Sequence, residues 1–181
     1  MIETERLILR GWREEDVEPF IRHTNTSAVM RWLGGVQPDA YLRAAILDKF
    51  IRWQKERGFT FWAVERRADR ELLGFCGLKL ADDPGTAVEG LHEAGWRLRE
   101  DAWGHGYAKE AATASLNFAF NEAGAEQVVS LTVIGNKPSW GLMERLGMTR
   151  RPDMDYVGAP WAETPVIVYM IGKGEWRARS S

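Results

Sequence analysis

"DAWGHGYAKEAA", residues 101–112, places Gly104 and Gly106 one residue apart, between a strand-like stretch and an alanine-rich, helix-like run. Glycine tolerates backbone angles that other residues resist and lets a ligand approach the chain closely. The amide N–H groups from about His105 to Lys109 then converge ahead of a helix N-terminus, a spot that favours negative charge. A pyrophosphate fits it. A plain tight turn into a helix does not need both glycines. The dinucleotide fingerprint GxGxxG requires a third Gly or Ala where this chain has Lys109, and a P-loop requires a Gly-Lys-Ser/Thr ending that is absent. Both signals for a nucleotide-binding oxidoreductase are therefore weak.

Working outward, "EGLHEAGWRLR" (89–99) reads as the strand that feeds this loop, and the helix beyond it runs to about Ala123. The helix carries an apolar stripe at Ala108, Ala111, Ala112, Ser115, Leu116, Ala119 and Phe120, small enough early on to pack close to a sheet. Next come a β-branched strand, "EQVVSLTVIG" (126–135), and a helix, "NKPSWGLMERLG" (136–147). Asn136 stands at that helix's N-cap, Pro138 in its first turn and Gly147 at its stop. "MTRRPDMDYV" and "TPVIVYMIG" (164–172) close the chain as strands. Upstream, "RLILRGW" (6–12), "FTFWAVER" (59–66) and "ELLGFCGLKL" (71–80) are strands. "REEDVEPFIRHTN" (13–25), "SAVMRWL" (27–33) and a long run from Pro38 to about Arg57 are helices. The order is β-α-α-β-β-β-α-β-α-β-β. Consecutive strands before the loop argue a mainly antiparallel sheet; the strand-helix-strand after it argues one parallel crossover.

The 181 residues suit a single domain over 1–181, large enough to bury a core without disulfides. The composition, 45% hydrophobic and 28% charged, is that of a soluble protein; most of the nine Trp belong to its core and a few to a pocket or interface. A net charge of −2 with no basic run argues against a nucleic-acid partner. No signal-like start and no stretch of about 20 apolar residues is present, so the expectation is a cytoplasmic protein off the membrane. A lone Cys76 makes no disulfide and reads as a small buried hydrophobe rather than a nucleophile. His23, His92 and His105 lack metal-ligand spacing, so no metal is expected.

The segment "GWRLREDAWGHGYAKEA" resembles the acetyl-CoA loop of the GNAT superfamily of N-acetyltransferases, in the branch containing the RimJ/RimL-like ribosomal-protein N-terminal acetyltransferases. That branch shows Trp-Gly-x-Gly-Tyr-Ala, matched by Trp103 to Ala108. "IETERLILRGWREEDVEPF" (2–20) is similar to its opening Glu-Thr-x-Arg-Leu-x-Leu-Arg and acidic helix start, and "NKPSWGLMERLGM" (136–148) to its Asn-x-x-Ser…Leu-Gly-Phe segment. The three motifs stand in the right order across residues 2–148. The resemblance implies an α/β (α+β) fold: a mixed, mostly antiparallel sheet of six or seven strands, splayed after the fourth, flanked by about four helices.

It also implies an acetyl-CoA-dependent N-acetyltransferase that acts by direct attack of a primary amine on the thioester. In that reading Trp103, Gly104, His105, Gly106, Tyr107, Ala108 and Lys109 hold the cofactor at the loop. Leu98 pairs with pantetheine at the strand end, and Asn136 and Ser139 reach it from the next helix. Glu93 alternates along its strand with Gly95 and Arg97 and is the candidate base, with a water chain as the alternative and a solvated strand charge as the bland reading; His92 faces the other way. Relatives often place a Tyr acid four residues after the Ser position; here that position is Met143, which leaves Ser139 as the substitute acid or a simple cap. Asp101 stands where Gln or Arg is common, and His105 where Lys or Arg is usual. Trp32 and Trp161 are candidate walls of the acceptor site, or core. Protein N-termini and small-molecule amines stay open as acceptors, a homodimer is compatible with the resemblance, and a non-catalytic CoA-binding module of the same fold is the alternative function.

Overall fold

In the computed structural model, which describes residues 1–180, eight strands form one sheet in the order β1-β2-β3-β4-β5-β6-β8-β7. They are β1 (Ile2–Glu3), β2 (Leu7–Arg10), β3 (Phe61–Arg66), β4 (Leu72–Leu80), β5 (His92–Leu98), β6 (Gln127–Val133), β7 (Thr149–Arg150) and β8 (Val166–Gly172). All neighbouring pairs are antiparallel except β5 and β6. The helices are α1 (Val17–Thr24), α2 (Ser27–Met30), α3 (Asp39–Ala44), α4 (Ile51–Arg57), α5 (Tyr107–Asn121), α6 (Lys137–Arg145) and α7 (Lys173–Ser180). A π-helical stretch, Ala45–Phe50, joins α3 to α4, so the chain builds six helical rods. The counts exceed the sequence expectation because β1 is a two-residue strand and α7 is polar along most of its length, with Trp176 its buried anchor.

The sheet divides the core in two. On one face α5 lays down the stripe its sequence predicts: Ala111, Ala112, Ser115, Leu116, Ala119 and Phe120 are all buried against Trp62, Val64, Cys76, Leu78 and Ala94. Its early alanines bring the helix close to the strands, as small side chains must. On the other face α1, α3 and α4 bury an aromatic cluster of Trp12, Phe20, Phe50, Trp53, Phe61 and Phe75. Phe61 and Phe75 stack across β3 and β4 with centroids 4.9 Å apart. Side chains alternate across a strand, so β5 serves both cores: Ala94 and Leu98 face α5, while Glu93, Gly95 and Arg97 face the α1–α4 side.

The feature that positions the site is a fork. β5 and β6 pair only at His92↔Val128 and Glu93↔Val129; residues 94–98 of β5 have no β6 partner. At the vertex the Ser130 hydroxyl donates to the Ala94 carbonyl (2.5 Å), a side chain taking over where the backbone ladder ends. This is the splay expected after the fourth of the strands read from sequence.

Candidate active site

The open edge of β5 can be read from its hydrogen bonds. Arg99 N–H donates to Leu73 O on β4 (2.8 Å), so by the two-residue alternation the backbone groups of Arg97, Gly95 and Glu93 face β4. Those of Ala94, Trp96 and Leu98 therefore face the gap. Ser130 takes the Ala94 carbonyl, and the Trp103 indole N–H donates to the Leu98 carbonyl (2.9 Å). The Trp96 peptide group and the Leu98 N–H are left facing the gap. Leu98, the residue expected from sequence at this strand end, keeps its N–H toward the gap although its carbonyl is engaged, and Trp96, which that reading did not name, lies beside it.

The loop that follows has the geometry expected of it. Gly104 (φ 77) and Gly106 (φ 80) are both left-handed, a conformation costly for other residues. Gly106 is the N-cap of α5, with no side chain capping it, and the first intrahelical bond is Glu110 N–H to Gly106 O (3.1 Å). The N–H groups of Gly106, Tyr107, Ala108 and Lys109 therefore have no acceptor among the described residues, and they lie at the positive end of a helix of 15 residues. His105, Gly106 and Lys109 are exposed; Tyr107 and Ala108 are half-buried.

What holds this loop is the N-terminal motif. Glu110 accepts from the Thr4 hydroxyl (2.6 Å), the Arg6 backbone N–H (2.8 Å) and Arg6 Nε (2.7 Å). Burial opposes its ionisation, yet these donors hold the Glu110 carboxyl below the usual range. Arg6 also donates to the His105 carbonyl (3.0 Å) and lies 4.8 Å from the centroid of the Tyr107 ring. "ETERL" and "GYAKEA" are thus two halves of one clamp. Sequence reasoning treated them as separate motifs and missed Arg6 and Glu110. An open groove of about 570 Å³ starts at this clamp and follows α5 to Glu122.

Glu93 sits at the vertex, the last β5 residue paired with β6. It is buried, and burial lifts its carboxyl to about 7, against the pull of Lys79. The Lys79 ammonium lies 3.2 Å from Oε2, close enough for an ion pair but without the direction of a hydrogen bond, so Oε2 stays unsatisfied. Lys79 also pairs with Asp82. The phenol of Tyr156 belongs to the same cluster: burial first, then Asp83, Glu93 and Asp82, hold it well above its ordinary range, and its hydroxyl has no partner. Tyr156 lies on the connection into β8 and escaped sequence reasoning, because it was read there as part of a strand. His92, on the opposite face, lies 5.3 Å from Phe59, and burial lowers its basicity.

Across the gap, Asn136 occupies the N-cap position of α6, but its side chain does not cap; only its backbone carbonyl does, accepting from Ser139 and Trp140 N–H. Its carboxamide and the Ser139 hydroxyl make no side-chain hydrogen bond among the described residues. Both are half-buried. Met143 is 1% exposed, packed into the α5-side core. Trp32 reaches the same edge: a Cβ on Gly135 would stand 2.7 Å from its ring. The Trp161 carbonyl adjoins Gly34, so both candidate walls border the loop after α2. Cys76 is buried beside Ser115, and burial pushes its thiol up to about 12, which suits packing rather than attack. Among the described residues no group of three or more His, Cys, Asp or Glu could hold a metal ion, and no helix is long and apolar enough to cross a membrane.

The forked mixed sheet and the backbone anion cradle beside its open edge are the features that the acetyltransferase resemblance implied. The chain belongs to the GNAT acetyltransferase domain family, whose model matches residues 6–149. It is 30% identical over 150 residues to the uncharacterized protein YkkB of Bacillus subtilis, covering 80% of this chain and 83% of the relative. It is 25% identical over 152 residues to the uncharacterized N-acetyltransferase YoaA of the same organism, covering 83% of each. A GNAT-family acetyltransferase structure from Bacillus anthracis superposes with a TM-score of 0.76 at 25% identity, over 96% of this chain and 99% of that one.

Proposed function

We propose that residues 1–181 form one acetyl-CoA-dependent N-acetyltransferase unit of the RimJ/RimL-like branch, acting in the cytoplasm on a primary amine. The observation that carries this reading is the vertex of the fork, where a buried carboxylate with a neutral-range pKa stands beside an open backbone edge. The residues present fit the cofactor. The free N–H groups of Gly106 to Lys109 suit a pyrophosphate, and Gly104 and His105 shape the approach. The Trp96 peptide offers a strand-like edge to the pantetheine amides. Asn136 and Ser139, at the start of α6, carry unused polar groups for the cofactor, and Trp103, half exposed, braces the loop against Leu98.

Acetyl-CoA supplies, when bound, an acetyl group activated as a thioester. The protein has three tasks around it. Glu93 takes a proton from the incoming ammonium, directly or through one water, because only the neutral amine attacks; a carboxyl near 7 is half ionised at neutral pH and suits that role. A backbone N–H of the open edge, that of Trp96, is the donor available for charge developing on the carbonyl oxygen. Ser139 is the hydroxyl that returns a proton to the departing sulfur in this reading, since Met143 cannot. Trp32 and Trp161 wall the acceptor side.

The test is calorimetric titration of acetyl-CoA into the wild type and a Gly106→Trp variant, followed by an amine panel scored by CoA release. Micromolar binding lost in the variant, with turnover on a primary amine, is the expected result. A well-folded wild type that binds no acetyl-CoA would overturn the reading.

A further inference from the structure

Lys79 and Glu93 stand directly opposite each other in the antiparallel ladder of β4 and β5, at the vertex of the fork. Register alone therefore brings an ammonium beside the buried carboxyl. Where that ammonium points is set by a third residue, Asp82, on the connection from β4 to β5. The Ala81 N–H donates to the Leu91 carbonyl (2.8 Å) and the Gly90 N–H to the Ala81 carbonyl (2.9 Å), so the start of this connection is tied to its end. Asp82 follows at once, and its Oδ1 accepts a directed hydrogen bond from Lys79 Nζ. The Asp82 side chain is 59% exposed, that of Lys79 only 15%.

Lys79 thus serves its two carboxylates unequally. Nζ stands 3.2 Å from Glu93 Oε2, yet no hydrogen bond forms there, and that buried oxygen has no other hydrogen-bond partner among the described residues. An unbonded buried carboxylate oxygen is costly, and an ammonium beside it has three N–H groups to donate. The exposed Asp82 nevertheless takes the directed bond. The other charged or titratable groups around the pair are Asp83, on the same connection, and the Tyr156 phenol, on the connection into β8. Lys49, from the π-helical stretch, acts on Asp82. None of them bonds to Oε2.

We infer that Asp82 is a positioning residue for the transfer: it draws the Lys79 ammonium aside, so that Lys79 lends its charge to Glu93 but leaves Oε2 free to take the acceptor's proton. The inference rests on the acetyltransferase reading above. In the step itself one N–H bond of the acceptor ammonium breaks and one O–H bond forms at Oε2, while Lys79 keeps its three protons. Without Asp82 the ammonium turns onto Oε2 and occupies the lone pair that should receive the proton. A hydrogen bond to the ionised carboxylate also stabilises it, which makes Glu93 a weaker base.

The experiment compares the pH dependence of kcat/KM for one amine, at saturating acetyl-CoA, in wild type, Asp82→Ala, Asp82→Glu, Asp83→Asn, Lys79→Met and the Lys79→Met/Asp82→Ala double variant. NMR of the Glu93 carboxyl carbon follows the same titration without turnover. The wild-type break near pH 7 should fall by about one in Asp82→Ala, with kcat on the plateau lowered about tenfold. Asp82→Glu keeps the tether and should restore most of the wild-type profile. Asp83→Asn removes a charge that acts on Glu93 at least as strongly as that of Asp82 but makes no contact with Lys79, so it should move the break less than half as far. In Lys79→Met the break should rise above 7, and adding Asp82→Ala should then change little more than Asp83→Asn does, because the tether has nothing left to hold. Equal shifts in Asp82→Ala and Asp83→Asn, or an Asp82→Ala shift retained in full in the Lys79→Met background, would overturn the inference alone and leave Asp82 as a rim charge. A protein that binds acetyl-CoA yet acetylates no amine would overturn the acetyltransferase reading and the inference with it.

Discussion

The cofactor loop and the acceptor face lie on either side of one fork and are built by opposite means. The loop is backbone: two left-handed glycines, four free N–H groups, and a clamp that fixes where they point. The exposed side chains at positions 105 and 109 take no part in that cradle. The acceptor face is made of side chains from β4, β5, α1, α2 and the connection into β8: Lys79, Glu93, Arg97, Phe20, Met30 and Tyr156. A binding task shared by all relatives can be carried by main chain, whereas a task that selects one acceptor needs chemistry that only side chains carry.

If the contrast is right, damage to the two sides separates cleanly. The largest effect belongs to Gly106→Trp. It places a bulky group at a left-handed position against the Arg6 guanidinium that holds the loop, and calorimetry should show acetyl-CoA affinity falling about 100-fold or more, near 3 kcal/mol. Circular dichroism checks that the fold survives. Glu93→Gln should leave that affinity within a few-fold while lowering kcat/KM by about 100-fold or more. The same variant should be more stable than the wild type at pH 8. The Glu93 pKa is raised on folding, so its contribution is present below the unfolded value near 4.5 and lost as pH rises through about 7. Removing the charge should therefore regain roughly 1–3 kcal/mol in urea unfolding, less whatever Lys79 loses.

A smaller effect tests the clamp. Glu110→Ala removes four hydrogen-bonding and ionic contacts to Thr4 and Arg6 without touching the cradle. The KM for acetyl-CoA should rise about tenfold with kcat nearly unchanged, as charge-assisted bonds of this exposure suggest. If kcat falls instead, the loop and the acceptor face are not separable. The smallest effect is that of Ser139→Ala, a severalfold drop in kcat at constant acetyl-CoA affinity. A wild-type kcat would assign Ser139 to packing at the helix start.

The two regions also differ in how far the sequence disclosed them. The loop and the α5 stripe were legible because each depends on local periodicity or on glycine, signals carried within a dozen residues, whereas the fork was expected only from the family resemblance. Trp96 went unnamed beside Leu98 because no local pattern records that the Trp103 indole engages the Leu98 carbonyl. The Asn136 side chain was credited with capping because residue type marks a cap position but not whether the side chain turns inward. Tyr156 joins the Glu93 cluster only through the packing of the β8 connection against β4 and β5. The Thr4–Arg6–Glu110 clamp spans more than a hundred residues, and its halves were visible only as separate motifs. Glu93 was found from its strand and its face; its burial, and hence its pKa, required the sheet.

The most direct test of the account is the pH dependence of kcat/KM at saturating acetyl-CoA, for wild type and Glu93→Gln, with one amine substrate. That parameter reports the enzyme–acetyl-CoA complex and the free amine. Glu93 must be ionised to take the ammonium proton, so the wild-type logarithmic profile should rise with a slope of about one below about pH 7 and stay level between 7 and the amine pKa. Glu93→Gln, without that base, should instead rise with a slope of about one up to the amine pKa. A break near pH 7 that persists in Glu93→Gln would contradict the assignment of the proton-accepting group and move it elsewhere in the fork.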